Sequence, residues 1–560
     1  MKFPDLSQFS GFFRPRLIDA LHGYNRERLG TDITAGLTVG IVALPLAIAF
    51  AIASGAKPEA GIFTAIIAGF LISALGGSRV QIGGPTGAFI VIVYGIIAQY
   101  GYANLLICTI MAGFMLLAMG AFQLGTLIKY FPKPLIIGFT NGIAVLIALS
   151  EIKDFLGLKT EALPAEFFQK LAVLWHALPS VDLPTLALAG LSALFIWFYP
   201  KNWAKRAPSP IVVLALGTTA VAIFNLPVET IGTRFGGIPQ GLPEFSAPTF
   251  SIGELRHLIM PAFTIALLGA IESLLSAAVA DGMIEDRHDP NQELMAQGIA
   301  NIVTPFFGGI PATGAIARTA TNVRSGASSP VSGIVHALAL LLIVLIAAPL
   351  AQYIPLASLA AILLIVSINM GEWEVFSRLK TYPRQDTIVL LVTFVFTVIF
   401  DLTVAVEIGL LLAGIFFINN MTELSHVHLA DADAPDRDLP HDQRPVPPGA
   451  LVYRLYGALF FGVVDKLEQV LHQQHTEPEV LILNMSEVIS MDASALHVLE
   501  DLHKKLERRG KHLVLCGPHT QPYFLMHQAG FFEQLGADNL TANLDDALTR
   551  ATVLLQKSST

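Results

Sequence analysis

The sequence predicts a polytopic α-helical membrane protein whose fourteen membrane-spanning segments form two oppositely oriented halves of seven, followed by a small α/β domain. Three observations predict this fold class. Hydrophobic residues make up 53% of the 560 residues, charged residues only 14%, and the mean hydropathy is +0.62; soluble domains carry about 25% charged residues. Two similar glycine–proline interruptions lie in the two halves of the apolar region, and the composition becomes polar after residue 418.

Apolar runs long enough to cross, or half cross, a hydrocarbon core of ~30 Å define a membrane region at residues 33–418. They are predicted at residues 33–54, 59–76, 84–100, 103–121, 133–150, 184–199, 208–225, 257–280, 291–306, 313–325, 331–352, 356–370, 386–400 and 402–418. Residues 1–32 are polar and basic and lack the apolar core and cleavage site of a signal peptide. We therefore expect residues 1–32 to form a cytoplasmic segment.

The basic residues orient these spans. With the N-terminus inside, the inside loops hold many more lysines and arginines than the outside loops, as the positive-inside rule requires. Seven spans per half is an odd number, so the two halves have opposite orientation, which is the inverted repeat of many secondary transporters. Both termini are then expected in the cytoplasm.

The two interruptions are Gly83-Gly84-Pro85-Thr86-Gly87-Ala88 and Gly308-Gly309-Ile310-Pro311-Ala312-Thr313-Gly314-Ala315. Glycine pairs release the backbone from helix, and proline suits the first helical position. Each interruption therefore predicts a half-helix that begins inside the membrane, with its free amides and positive dipole end directed at a common point. Broken segments at matching positions of two halves are typical of a transporter's binding site.

Backbone N–H groups at these two helix starts are candidate anion ligands, because they are fixed donors and the small side chains let an anion approach. The candidates are Thr86, Gly87, Ala88, Gly314, Ala315 and Ile316. The alternative is that the glycines only allow tight helix packing. The second copy of the pattern favours binding.

Glu272 is the most informative single residue, because it lies in the middle of the eighth apolar segment. A carboxylate there is costly unless it faces a cavity or carries a proton. Ser273 is adjacent, and Ser276 lies one helical turn further on. We assign these three residues to proton coupling; the alternative is a protonated glutamate that is hydrogen-bonded for packing.

Other polar or aromatic residues in the apolar segments are weighed in the same way. Arg318 would add a positive field to the site, or would form a structural pair with a carboxylate. Phe50 would form a wall of the pocket, or would belong to the core. The lone polar residues Asn141, His336 and Glu407 are expected to be satisfied by neighbouring helices.

No feature predicts an enzyme or a cofactor. Ser–His–Asp, paired-histidine and zinc-ligand spacings with a plausible common location do not occur, so we predict neither catalytic nor metal-ligating residues. The two cysteines, Cys108 and Cys516, lie in different regions and make neither a disulfide framework nor a metal cluster. The net charge of −9 is concentrated after Met421, and we predict no nucleic-acid partner.

The tail has two parts. Residues 419–448 are rich in His, Asp and Pro and predict a polar linker. Residues 449–556 alternate strands and helices, which predicts a small sheet covered by helices. The elements are strands at Leu451–Leu455, Val480–Leu483 and Leu513–Leu515 and helices at Val463–Gln474 and Ser494–Arg509.

Five groups of residues together resemble the sulfate permease family, which includes the mammalian solute-carrier anion exchangers. They are Asp32–Gly40 with Leu44-Pro45, the two interruptions, Gly269–Leu275, Asn291–Gly298 with Asn301, and Arg318-Thr319 with Asn322. The resemblance implies a fourteen-segment inverted repeat divided into core and gate domains. It also implies a substrate held between the third and tenth half-helices, movement of the core against the gate, and a homodimer.

The resemblance carries roles to individual positions. Phe50 matches an aromatic residue that lines the family's substrate pocket, and Ala317-Arg318 matches its small-residue–arginine pair. Glu272 matches the acid used for cation coupling, which is an aspartate in sodium-coupled bicarbonate members, with a hydroxyl residue where Ser276 stands. Glutamate favours protons, because a low-dielectric site can raise the pKa of a carboxyl group into the working range.

The tail resembles a STAS domain (sulfate transporter and anti-sigma factor antagonist), on the match of Leu483–Leu496 to its strand–loop–helix. The serine that is phosphorylated in anti-sigma antagonists is replaced by Ala493. Ser494 follows it and is predicted to cap the helix. The resemblance implies a role in assembly, dimer contact or docking of a cytosolic protein.

The expected function is proton-coupled symport of a small inorganic or organic anion across a bacterial inner membrane by an elevator-like mechanism. C4-dicarboxylates, sulfate and bicarbonate fit the family, and the overall pattern, similar to proteobacterial members, favours a small dicarboxylate. Three alternatives stay open: a nucleobase-type permease, an anion-sensing scaffold that signals through the STAS domain, and an uncoupled channel.

Overall fold

The computed structural model describes residues 13–126, 132–160, 163–164, 166–200, 208–241, 243–248, 252–400, 402–424, 426–429, 445–460 and 478–558. The chain divides into two compact units, Met1–Leu410 and Leu411–Thr560. The first is almost entirely helical, and the second contains a five-stranded sheet.

The helical part corresponds closely to the predicted segments. The described helices are α1 Arg16–Ala20, α2 Arg26–Ala53, α3 Pro58–Leu75, α4 Ile90–Tyr100, α5 Tyr102–Ala121, α6 Lys133–Leu156, α7 Phe167–Ala177, α8 Leu183–Phe198, α9 Ser209–Phe224, α10 Ile231–Phe235, α11 Ile252–Ile284, α12 Pro290–Val303, α13 Ile316–Arg324, α14 Val331–Ala351, α15 Leu356–Met370, α16 Glu374–Ser377, α17 Arg384–Ile399 and α18 Leu402–Leu424. Each of the fourteen predicted apolar segments overlaps one of these helices. Within the described residues, seven helices are long and apolar enough to cross a membrane, or eight if one bent pair is a single span.

The membrane helices pack in two groups that each mix both halves of the chain. One group joins α2 to α14, α3 to α12 and α14, and α5 to α11 and α12. The other joins α6 to α15 and α17, and α8 to α9 and α15. We call these the core group and the gate group. Mixing of the halves in both groups is the packing expected of an inverted repeat.

Close packing in the core group depends on glycine. A Cβ on Gly298 of α12 would lie 2.6 Å from the backbone nitrogen of Leu117 and 2.7 Å from the carbonyl oxygen of Gly113, both on α5. Small residues at a helix interface allow two backbones to approach this closely. The contact between α5 and α12 therefore could not form with a larger residue at position 298.

Helix α7, the last residues of α18 and strand β3 are among the structural features that were not predicted. The amphipathic helix α7 precedes α8 at a bend of 114°, and its shorter apolar face did not reach the length of a span. The helix α18 continues past the predicted end at residue 418 to Leu424, and a strand β3, His426–Leu429, follows it. The stretch predicted to be a linker thus begins with ordered structure, because β3 finds a partner strand in the tail.

The tail sheet has the order β3-β4-β5-β6-β7, with strands Ala450–Leu459, Val480–Met491, His512–Cys516 and Leu540–Thr541 as β4 to β7. The β3–β4 pair is antiparallel, and the other pairs are parallel. Helices α19 Ala493–Glu507, α20 Thr520–Gln528, α21 Phe531–Leu535 and α22 Leu544–Ser558 complete the unit. Leu483, Leu499, Leu515 and Phe531 contribute to one hydrophobic cluster, and Val480, Val514 and Ala547 to a second.

The predicted strands and the helix at Ser494–Arg509 are confirmed with shifted ends, while the predicted helix Val463–Gln474 lies outside the described residues. The prediction that Ser494 caps α19 is wrong. Asp492 is the cap, since its carboxylate accepts a hydrogen bond of 2.9 Å from the backbone N–H of Ala495. Aspartate and serine cap helices about equally well, and the helix begins at Ala493, two residues earlier than a Ser494 cap would allow.

Candidate functional site

The two interruptions of the membrane region meet in the structure. Gly83–Gly84 forms β1 and Thr313–Gly314 forms β2, and the two strands pair antiparallel with Gly83 opposite Gly314. The prediction that proline takes the first helical position is wrong for both interruptions. Pro85 and Pro311 precede the helices. Thr86 is extended and separates Pro85 from the turn at Gly87–Phe89, and strand β2 separates Pro311 from α13.

Polar side chains hold the second interruption in place. The amide of Asn301 donates to the carbonyl oxygen of Ala312 and accepts from its N–H, both at 2.8 Å. The hydroxyl of Thr64 donates to the carbonyl oxygen of Ile310 at 3.0 Å and accepts from its N–H at 2.7 Å. Side chains thus replace the helical hydrogen bonds of a buried backbone stretch, which would otherwise be left unsatisfied.

The strand pair also connects to α13. The N–H of Ala315 donates to the carbonyl oxygen of Ile82 at 2.8 Å, and the N–H of Ile82 donates to the hydroxyl of Thr319 at 3.0 Å. Thr319 in turn accepts a hydrogen bond of 3.1 Å from Ser276 on α11. One hydrogen-bonded unit therefore contains both interruptions and α11.

Two helix starts beside this unit have backbone N–H donors without an acceptor among the described residues. A 3₁₀ turn at Gly87–Phe89 leads into α4, and α13 begins directly after Ala315. Within the described residues, no acceptor pairs with the N–H groups of Gly87 and Ala88 or with those of Ile316, Ala317 and Arg318. The buried hydroxyl of Thr86 has no partner there either. Free N–H groups at a helix start are suited to an anion.

Arg318 is a buried cation without an acidic partner. Its side chain is 2% exposed, and Nη2 donates to the carbonyl oxygen of Pro85. Nη1 is buried and has no hydrogen-bond partner among the described residues, and none of their carboxylates is within ion-pair distance. The described residues therefore do not support the alternative that Arg318 forms a structural ion pair with a carboxylate.

Two glycines of the strand pair admit no side chain. Gly84 has φ +145°, which favours glycine, and a Cβ there would lie 2.6 Å from Nη1 of Arg318. A Cβ on Gly314 would lie 1.7 Å from Nε2 of Gln81 and 3.2 Å from Cα of Ser273. These glycines allow Arg318 and α11 to approach the strand backbone.

Glu272 and the two serines differ in their surroundings. The carboxyl of Glu272, on α11, is half-buried and has no hydrogen bond or ion pair with another described residue. Ser273 and Ser276 are fully buried, and their hydroxyls bond to Glu293 at 3.4 Å and to Thr319 at 3.1 Å. The two serines thus bond α11 to α12 and α13, and of the three residues only Glu272 is left without a hydrogen bond among the described residues.

Sequence reasoning assigned no role to Glu293 and Gln81. The buried carboxylate of Glu293 accepts from the N–H groups of Gly77 and Ser78 at 2.9 and 3.2 Å and from Gln297 at 2.9 Å. Gln81 donates to the backbone oxygen of Ser273 at 3.1 Å. Glu293 lies inside a predicted segment, which is the signal that singled out Glu272, whereas Gln81 lies between two predicted segments, where the sequence offers no such signal.

Phe50, on α2, packs beside the start of the first half-helix. It is 7% exposed, and its Cε1 would be 3.6 Å from a Cβ placed on Gly87. The expectation that His336 and Asn141 are satisfied by neighbouring helices is not met among the described residues. Both side chains are fully buried, and neither has a hydrogen-bond partner there.

Comparison with known proteins gives a consistent result. Residues 29–393 match the model of the sulfate permease family, and residues 443–547 match the STAS domain. The chain is 42% identical over 541 residues to "Putative sulfate transporter YvdB" of Bacillus subtilis (strain 168), covering 96% of this chain and 99% of that protein. It is 31% identical over 537 residues to the bicarbonate transporter BicA of Picosynechococcus sp. (strain ATCC 27264 / PCC 7002 / PR-6), covering 93% and 94%.

Solved structures agree on the fold. The transmembrane domain of a cyanobacterial bicarbonate transporter BicA matches with a TM-score of 0.64 and 32% identity, covering 69% of this chain and 98% of that one. The overall structure of SLC26A9 matches with a TM-score of 0.86 over 98% of this chain and 93% of that one, at 18% identity. The latter likeness concerns the fold alone.

Proposed function

This chain belongs to the sulfate permease family, which consists of transporters and not of enzymes, and we propose that it is a secondary active transporter of a small anion with proton symport. The proposal rests on one observation. Two half-helix starts with unpaired N–H groups are joined by a strand pair, and beside that pair lies Arg318, a buried cation without an acidic partner among the described residues.

An anion fits this arrangement for electrostatic reasons. A buried guanidinium without a counter-charge is costly, and a bound anion would supply that charge. The amides of Gly87 and Ala88 on one side and of Ile316, Ala317 and Arg318 on the other are donors whose charge does not change with pH. Thr86, Gly314 and Phe50 complete the proposed binding residues. The prediction that the N–H of Ala315 is an anion ligand is wrong, because that N–H donates to the carbonyl oxygen of Ile82.

Glu272 is the proposed coupling residue. A carboxyl inside a membrane without a partner is favourable when protonated, and a proton taken up there reduces the charge that crosses with the anion. Ser273 and Ser276 are proposed to hold α11 against the strand pair through the hydrogen bonds described above. In transport, the core group would carry the site past the gate group, alternately exposing it to each side.

The proposed substrate follows from the similar proteins. They favour sulfate or bicarbonate, and C4-dicarboxylates remain a third candidate. We further propose a homodimer in a bacterial inner membrane with both termini in the cytoplasm, and a STAS domain that contacts a second copy or a cytosolic protein.

The test is uptake of radiolabelled sulfate, bicarbonate and succinate into proteoliposomes of the purified full chain, with and without an inward proton gradient. We expect one of these anions to accumulate when the gradient is applied and to equilibrate only slowly without it. Uptake of none of them would contradict the proposal and favour the anion-sensing scaffold. A conductance far above carrier rates would favour a channel.

A further inference from the structure

We propose that Ile147 and Met370 are specificity-determining residues that close the apolar side of the anion site and limit the length of the anion it accepts. This inference rests on the proposed function and adds two residues from the gate group to a site otherwise built from the core group.

The evidence is the surroundings of Gly87, which carries one of the unpaired N–H groups. A Cβ placed on Gly87 would lie 3.5 Å from Cδ1 of Ile147, 3.6 Å from Cε1 of Phe50 and 3.7 Å from Sδ of Met370. Ile147 is fully buried, and Met370 is half-buried. Three apolar side chains therefore converge on the Cα side of a residue whose N–H is proposed to bind the anion.

The three side chains come from three helices. Phe50 lies on α2 of the core group, Ile147 on α6 and Met370 at the end of α15, both of the gate group. Phe50 and Ile147 belong to one hydrophobic cluster that also contains Ala88, and Met370 packs against that cluster. The apolar side chains beside Gly87 thus come from both groups. Movement of one group against the other would therefore change the space beside Gly87.

An apolar wall of this kind selects by size. A binding site uses a few fixed polar groups for recognition and apolar surface for shape, and one methylene group more or less in such a pocket changes specificity about 10- to 200-fold. A compact anion such as sulfate needs only the amides and Arg318. A four-carbon dicarboxylate extends further and meets Ile147 and Met370.

The surroundings of Gly87 also allow the space to be reduced without a clash. The three distances are ordinary van der Waals contacts, unlike those at Gly84 and Gly314. Gly87→Ala should therefore reduce the space between residue 87 and the three apolar side chains without disturbing the fold. Adding Met370→Ala in a double variant should restore that space.

The experiment measures kcat/KM for succinate and for sulfate in proteoliposomes and takes their ratio. We expect Ile147→Ala and Met370→Ala each to raise the succinate-to-sulfate ratio at least about tenfold. Gly87→Ala should lower it, and the double variant Gly87→Ala with Met370→Ala should return it toward the wild-type value. Met370→Leu, which conserves volume, should leave the ratio unchanged.

Leu146→Ala is the matched control, because Leu146 is a buried neighbour of Ile147 on α6 and does not face Gly87. The inference would be overturned if Ile147→Ala and Met370→Ala had the same succinate-to-sulfate ratio as Leu146→Ala. That result would leave the proposal of anion transport intact. A wild-type chain that transports neither of these anions nor bicarbonate would instead overturn the proposed function and the inference with it, whereas transport of bicarbonate alone would overturn only the inference. Elution of each variant as a monodisperse species verifies folding.

Discussion

Arg318, at the start of α13, donates a hydrogen bond to the carbonyl oxygen of Pro85 in the first interruption. The bond joins the two halves of the chain at the place where β1 and β2 already pair. It positions the guanidinium beside Gly84, whose missing side chain makes the approach sterically possible. The positive charge and the two helix starts are consequently parts of one rigid unit.

Replacing Arg318 with Gln should weaken anion binding about 10- to 100-fold, because a hydrogen bond to a charged group contributes about 1.5–3 kcal/mol. Arg324→Gln is the control, since Arg324 lies on the same helix and is exposed. Isothermal titration with the transported anion gives the affinity. Equal loss in both variants would show that Arg318 acts only through the general charge of the protein.

The variant Gly314→Ala should unfold at a lower temperature than the wild type and should lose transport. Its Cβ would overlap Nε2 of Gln81 and press on the backbone of Ser273, and overpacking of this kind costs about 1–3 kcal/mol. Gly95→Ala is the matched control, because a Cβ on Gly95 meets nothing within 4 Å and alanine favours the helix. A thermal midpoint of Gly314→Ala equal to that of Gly95→Ala would contradict the described packing of the strand pair.

Asn301 supplies both a donor and an acceptor to Ala312. Asn301→Ala leaves the buried N–H and carbonyl of that residue unsatisfied and should cost about 2–4 kcal/mol, while Asn301→Asp loses the donor and should not rescue stability. The control is Asn104→Ala, which removes one bond of a half-buried side chain to the carbonyl oxygen of Tyr100. Thermal unfolding in detergent compares the three, and a stable Asn301→Asp would contradict the two-bond arrangement.

These positions also show which parts of the fold and of the candidate site could be predicted from the sequence. The lengths of the apolar runs located a helix at each of the fourteen predicted segments, and the repeated glycine–proline pattern located both helix starts. The strand pair between Gly83 and Gly314 was out of reach, because nothing local indicates that residues so far apart in the chain hydrogen-bond to each other. For the same reason, the sequence could not predict that Ile147 and Met370 lie near Gly87. Their position results from helix packing and not from any motif.

The N-terminal helix α1 should be held to the rest of its unit by a pH-dependent ion pair. Arg16 donates to Asp286 at 2.9 Å, and Arg79 lies 3.5 Å from the same carboxylate. Partial burial alone would raise the pKa of Asp286, but the N–H of Arg287 and the two arginines lower it below its ordinary value of 3.8. A lowered pKa means that the ionised form is stabilised by folding, so this contribution is present above pH 3.8 and is lost as the pH falls through the lowered pKa.

Hydrogen exchange at residues 16–20 tests this. Asp286→Asn should increase exchange at pH 7 by up to about fivefold, since partly exposed pairs contribute up to about 1 kcal/mol, and the wild type should lose the same protection only below pH 3.8. Glu285→Gln is the control, because no ion pair joins this neighbouring exposed acid to the described basic residues. Unchanged exchange in Asp286→Asn would assign the docking of α1 to the bond between the N–H of Arg16 and the carbonyl of Gly76 alone.

Glu272→Gln should uncouple transport from the proton gradient. Glutamine has nearly the same shape and cannot exchange a proton, and Glu272 makes no hydrogen bond with a described residue that the substitution would break. We therefore expect anion binding and exchange to survive, while accumulation driven by an inward proton gradient is lost. Glu407→Gln on α18 is the control, since Glu407 is also an acid within a membrane helix but is exposed. If Glu272→Gln still accumulates the anion against its gradient, Glu272 is a structural residue, and the proton must bind elsewhere in the core group, where the unpartnered imidazole of His336 would be the next residue to substitute.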